Sequence, residues 1–161
     1  PGDGPYAGLA LARQISQVTF RSDDVFTDRF GREPVDPLAG RFEMWQRFQV
    51  ERYLDYHGIK LARRFDANTY LLLTKAMDLH DIARGRGGLE AAARRISAPL
   101  LSMGITSDIL YPAYQQRDLV DLVTGAGGRA TYHEIDSPHG HDAFLIDLDQ
   151  VAAGLVPFLE S

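Results

Sequence analysis

Cysteine is absent from all 161 residues. That rules out a disulfide framework and a thiol nucleophile, and it fits a cytoplasmic protein. No apolar run approaches the roughly 20 residues that span a bilayer, and there is no secretory or lipidation signal. Basic residues are scarce at one end. Positions 98–161 hold 2 Lys/Arg against 9 Asp/Glu, whereas positions 1–97 hold 15 against 13. Together with a net charge of −5 and a pI near 5.5, this argues against a general nucleic-acid binder. Also missing is Gly-x-Ser-x-Gly, the sharp turn that exposes a nucleophilic serine. None of the serines present has close glycines on both sides in a strand-to-helix turn. No repeat or low-complexity segment occurs.

What is present suffices for one compact domain, since 45% of the residues are apolar. The first part reads as helical. Leu9, Ala12 and Ile15, with Ala10, Leu11 and Val18, recur at helical spacing over 6–19. Ser22-Asp-Asp supplies an N-cap and two first-turn acids for a short helix that Gly31 ends. A loop follows to Gly40. The stripe Phe42, Trp45, Gln49, Tyr53 and Tyr56 predicts a helix over 41–56 closed by His57-Gly58, its aromatics serving a core or a dimer interface. Asp66 can cap a helix through Tyr70, Leu73 and Met77, and 89–96 forms one more after Arg84-Gly-Arg-Gly-Gly88.

After Ala98 the pattern changes. Residues 99–105 form an apolar run of the buried-strand kind, 114–123 an amphipathic helix, 130–135 an alternating strand and 142–159 a closing helix. Asp108 follows the first strand and His141 the second. An acid and then a histidine after successive strands is how an α/β-hydrolase presents two thirds of its triad, in the order nucleophile, acid, base. The nucleophile is then expected upstream. Two strands also need further strands beside them to make a stable sheet of this type.

Several strings carry a closer resemblance. Gly8-Leu-Ala-Leu-Ala-Arg13, Thr19-Phe-Arg-Ser22, Arg29-Phe-Gly-Arg32, Val50-Glu-Arg-Tyr-Leu-Asp55, Arg64-Phe-Asp-Ala-Asn68, His80-Asp-Ile-Ala-Arg-Gly-Arg-Gly-Gly88, Gly104-Ile-Thr-Ser-Asp-Ile-Leu-Tyr-Pro112 and Gly140-His-Asp-Ala-Phe-Leu145 occur in order along nearly the whole chain. Together they resemble the homoserine O-acetyltransferase family of methionine biosynthesis, in its C-terminal portion.

The resemblance implies an α/β-hydrolase fold with an inserted helical lid. Residues 1–97 would be the lid region, and 98–161 the last strands and helices of the core, an incomplete parallel sheet. It implies a ping-pong transfer in which an upstream serine takes an acetyl group from acetyl-CoA and passes it to the hydroxyl of L-homoserine. Asp108 would be the triad acid and His141 the base. Asp142 would hold the acceptor's amino group and Arg13 its carboxylate. No cofactor is implied, acetyl-CoA being a co-substrate. The implied partners are those small molecules, the N-terminal half of the same enzyme and a second copy in a homodimer built through lid helices. Phe20 departs from the family's usual tyrosine in Thr-Tyr-Arg-Ser. A succinyl donor, serine as acceptor, an esterase and a non-catalytic lid module are the rival readings.

The residues fit that chemistry. A serine hydroxyl needs a base to take its proton, and the base needs an acid to fix its tautomer and stabilise the imidazolium. Each assignment has a plainer alternative. His141 could be a loop residue at a helix start, Asp108 a turn residue, Asp142 an acid favoured by a helix N-terminus, and Arg13 the partner of a neighbouring acid. His139 and His141 with Asp136 or Asp142 could form a metal site, although no further His or Cys supports one. Arg84-Gly-Arg-Gly-Gly88 suits either a turn or contact with phosphates.

Overall fold

A computed structural model describes residues 4–38 and 43–161. The chain forms two compact units, Pro1–Thr19 with Asp23–Leu79, and Phe20–Ser22 with His80–Ser161.

The first unit is helical: α1 (Tyr6–Thr19), α2 (Asp23–Phe30), α3 (Gln49–Ala62) and α4 (Ala67–Asp78). α2 starts after Ser22 and stops at Gly31, which takes φ +46° while its N–H donates to Thr27 O, as the sequence predicts. α1 packs on α3 where a Cβ on Gly58 would meet Ala10 O at 2.7 Å, so the side-chain-free position lets the two backbones approach. Gly58 therefore lies inside α3 and does not end it, contrary to the expected stop at His57-Gly58. The predicted start is also displaced. Phe42 lies outside the described residues, and residues 43–48 are irregular. Their backbone pairs with 33–35 instead, with Val35 N–H on Arg47 O at 2.8 Å and a bridge between Pro34 and Phe48. Glu51 reaches back to the Phe48 N–H at 2.7 Å and caps α3 there.

The aromatic stripe divides accordingly. Tyr53 is buried against Phe26 and Phe30, whereas Trp45 and Tyr56 are exposed. Asp66 caps α4 by accepting the Thr69 N–H at 2.6 Å, which holds its carboxyl below the usual range. α4 buries no residue and leaves Leu71, Leu72, Leu73 and Met77 exposed. Among the described residues no helix is long and apolar enough to cross a membrane.

The second unit begins with α5 (Leu89–Ala93), shorter than its predicted span, after a run of turns with positive φ at Gly85, Gly87 and Gly88. There follow β1 (Leu100–Ile105), α6 (Ala113–Gly125), β2 (Ala130–Ile135), a 3-10 helix (Gly140–Leu145) and α7 (Leu148–Glu160). β1 and β2 pair in parallel from Leu100 opposite Ala130 to Ile105 opposite Ile135. A parallel pair needs a crossover, and α6 supplies it. Ile105, Ile135 and Ala143 form the core with Met103 and Val151. The predicted helix over 142–159 is two elements. Asp147 breaks it, because its carboxylate accepts the Ser137 hydroxyl while its backbone starts α7.

Candidate active site

Parallel pairing in register brings the C-terminal ends of β1 and β2 side by side, so the loops that follow them are neighbours. Short hydroxyl side chains then tie those loops together. Thr106 Oγ1 lies 3.2 Å from Asp136 Oδ1 and accepts the Ser137 N–H at 3.1 Å. Ser107 Oγ donates to Ser137 O and accepts the Gly140 N–H at 2.8 Å. Ser137 Oγ accepts the His139 N–H at 3.2 Å. Gly140 has φ +67°, and a Cβ there would stand 2.8 Å from both Arg21 Cα and Phe20 O. No other residue type fits that turn.

On this frame Asp108 and His141 meet. Asp108 is buried. Its Oδ1 accepts the backbone N–H groups of Leu110 at 2.8 Å and Tyr111 at 2.9 Å, an Asx turn that fixes the carboxylate plane. Its Oδ2 lies 2.8 Å from His141 Nδ1. A carboxylate only accepts, so this contact assigns the imidazole proton to Nδ1 and leaves Nε2 as the basic nitrogen. Tyr111, Phe20 and Phe144 surround the ring at centroid distances of 5.2, 5.7 and 5.7 Å. His141 and Asp108 line a cavity of about 360 Å³ with Met103, Ile105, Tyr111, Gln116, Ile135 and Phe144. The pair thus sits in an open pocket walled mostly by apolar and aromatic side chains.

Asp142 follows His141 in the 3-10 helix. Its N–H donates to Phe20 O at 3.3 Å, and its Oδ2 lies 3.5 Å from Arg21 Nη2. The second unit thus brings together Asp108, His141 and Asp142. Arg13 lies on α1 in the first unit, half-buried. With the Gln17 amide oriented to satisfy both neighbours, its oxygen accepts from Arg13 Nη2 at 2.7 Å and Nε at 3.2 Å, and its nitrogen donates to the Tyr53 hydroxyl.

His133, His57 and Arg86 make local contacts. His133 Nε2 contacts Gln150 O at 2.9 Å, and His57 packs on Tyr53. Arg86 donates to Ile82 O within its own turn. Among the described residues no group of three His, Cys, Asp or Glu side chains could hold a metal ion. Sequence reading missed Ser107, Ser137 and Arg21. The sequence carries a signal for two of them, since Ser107 directly precedes Asp108 and Arg21 lies within Thr19-Phe-Arg-Ser22.

No family model matches the chain. Individual relatives do. The homoserine O-acetyltransferase of Moorella thermoacetica is 52% identical over 157 residues, 98% of this chain and 42% of that protein. Over nearly its whole length the chain is thus similar to proteins named homoserine O-acetyltransferase. A serine O-succinyltransferase of Litchfieldella anticariensis is 46% identical over 99% of the chain and 44% of its own length. The crystal structure of homoserine O-acetyltransferase from Bacillus anthracis superposes with a TM-score of 0.83 at 25% identity, covering 99% of this chain and 42% of that one. The fold is accordingly that of an α/β-hydrolase. The chain spans about two fifths of the length of the curated relatives it matches.

Proposed function

We propose that this chain is the acid- and base-bearing C-terminal part of a CoA-dependent O-acyltransferase that moves an acetyl group from acetyl-CoA to L-homoserine. The observation that carries this reading is the Asp108–His141 hydrogen bond at 2.8 Å, in a chain half-identical to proteins named for that reaction. The serine nucleophile belongs to the rest of the protein. His141 Nε2 takes the serine proton as the oxygen attacks the thioester carbon. The carbon–sulfur bond breaks, and the imidazolium returns its proton to the departing CoA thiolate. In the second half His141 takes the proton of the homoserine hydroxyl, whose oxygen attacks the acyl-serine and regenerates the serine. Asp108 holds the Nδ1 proton and balances the imidazolium charge without taking the proton.

Asp142 carries a negative charge beside the base and suits the acceptor's ammonium; Arg13 suits its carboxylate. The exposed apolar face of α4 supports a homodimer made through the helical region. The setting is cytoplasmic.

The test replaces the matching segment of the M. thermoacetica protein with this chain and assays acetyl-CoA with homoserine. CoA release that depends on homoserine supports the reading; a folded hybrid without it counts against the reading. The similarity to a serine O-succinyltransferase favours a second reading, succinyl transfer to serine on the same catalytic pair. Higher kcat/KM with succinyl-CoA and serine would select it.

A further inference from the structure

Phe20–Ser22 belongs to the same compact unit as the catalytic loops, although α1 and α2 on either side do not. Three contacts fasten it there. The Ser22 hydroxyl donates to Pro138 O, the Asp142 N–H donates to Phe20 O at 3.3 Å, and Arg21 Nη2 lies 3.5 Å from Asp142 Oδ2. The Arg21 and Asp142 side chains are 19% and 23% exposed, and Arg21 Nε is buried with no acceptor among the described residues. A guanidinium so far removed from water needs a compensating charge, and Asp142 is the carboxylate placed to give it. Conversely, Arg21 is the cation beside the Asp142 carboxylate, one residue from His141.

We propose that Arg21 is a positioning residue. It holds one oxygen of Asp142 so that the other is aimed at the ammonium group of the amino-acid acceptor. This rests on the proposed reading of Asp142 as the acceptor's anionic partner. A short charged residue on a brief 3-10 helix has several rotamers, and the ion pair to a side chain carried by another segment selects one of them. Arg21 acts on acceptor binding and has no part in forming the acyl-enzyme.

The test uses the full-length hybrid with the M. thermoacetica protein. CoA burst rate reads acylation, and KM for homoserine reads acceptor binding. Arg21→Met is expected to raise the homoserine KM about tenfold, the scale of one charge-assisted hydrogen bond, with the burst rate unchanged. In an Asp142→Asn background the same substitution is expected to add nothing. An unchanged homoserine KM, or a burst rate that falls in parallel with acceptor use, overturns the proposal, because a merely structural arginine would affect both halves. Asp142→Asn alone separates the two claims. If it raises the homoserine KM while Arg21→Met does not, only the positioning role fails. If it leaves the KM unchanged, the reading of Asp142 fails and the role of Arg21 falls with it. Should Arg21→Met not fold, Arg21→Lys is read by the same criteria, since it keeps the charge and loses the forked geometry.

Discussion

Ser107 and Gly140, which directly precede Asp108 and His141, are joined by a hydrogen bond of 2.8 Å from the Gly140 N–H to Ser107 Oγ. The same hydroxyl donates to Ser137 O, so one serine spans the two loops. The 2.8 Å contact between Asp108 and His141 is thereby held from the main chain as well as from the side chains.

Ser107→Ala removes that link and leaves the Gly140 N–H unpartnered in a buried position. The expected loss is about 1–3 kcal/mol of stability, measured by urea denaturation of the hybrid enzyme. A drop in kcat is expected to accompany it, because the base loop loses its tie. Unchanged stability and kcat would show that Ser107 does not hold the loops.

Gly140→Ala places a Cβ 2.8 Å from Arg21 Cα and Phe20 O at a φ of +67°. Left-handed backbone costs an alanine roughly 1–2 kcal/mol before any clash is counted. The expected result is a lower unfolding midpoint and a loss of acyl transfer together, read on one protein sample.

Gly58→Ala places a Cβ 2.7 Å from Ala10 O, far in sequence from the pair. Overpacking of this kind costs about 1–3 kcal/mol. Its effect is expected in the denaturation midpoint, with kcat per folded molecule retained.

Much of this arrangement was legible in the sequence, for identifiable reasons. β2 has its predicted bounds because Ala130, Tyr132 and Ile135, in a short segment bounded by Gly127-Gly128 and Asp136, read as a strand. α4 follows Asp66, since capping is a local matter of one side chain and a few N–H groups. The start of α3 was not legible. Residues 43–48 carry helical periodicity, and their backbone is recruited by the distant 33–35 segment. Gly58 misled for the opposite reason, as a glycine required by a neighbouring helix looks the same in sequence as a helix stop. Asp108 and His141 were visible as residues after strands. The Arg21–Asp142 pair depends on a segment more than a hundred positions away and has no local signature.

Tyr132 sets an alkaline limit. Burial, then the hydrogen bond to Glu134, pushes its phenol up to about 12. The folded value lies above the unfolded one near 10, so its contribution to stability is complete below about pH 10 and is lost as pH rises through about 12. A difference titration of tyrosinate absorbance between the parent and Tyr132→Phe should show one group ionising near the upper limit. A group titrating near pH 10 would contradict this.

On the proposed reading, His141, oriented by Asp108, moves the protons of acyl transfer. The direct measurement is homoserine-dependent CoA release by the full-length hybrid and by its His141→Ala variant, with folding checked by circular dichroism. A loss in kcat of roughly 10²–10⁴-fold or more is expected in a folded protein. A folded variant that retains kcat within a few-fold would contradict it.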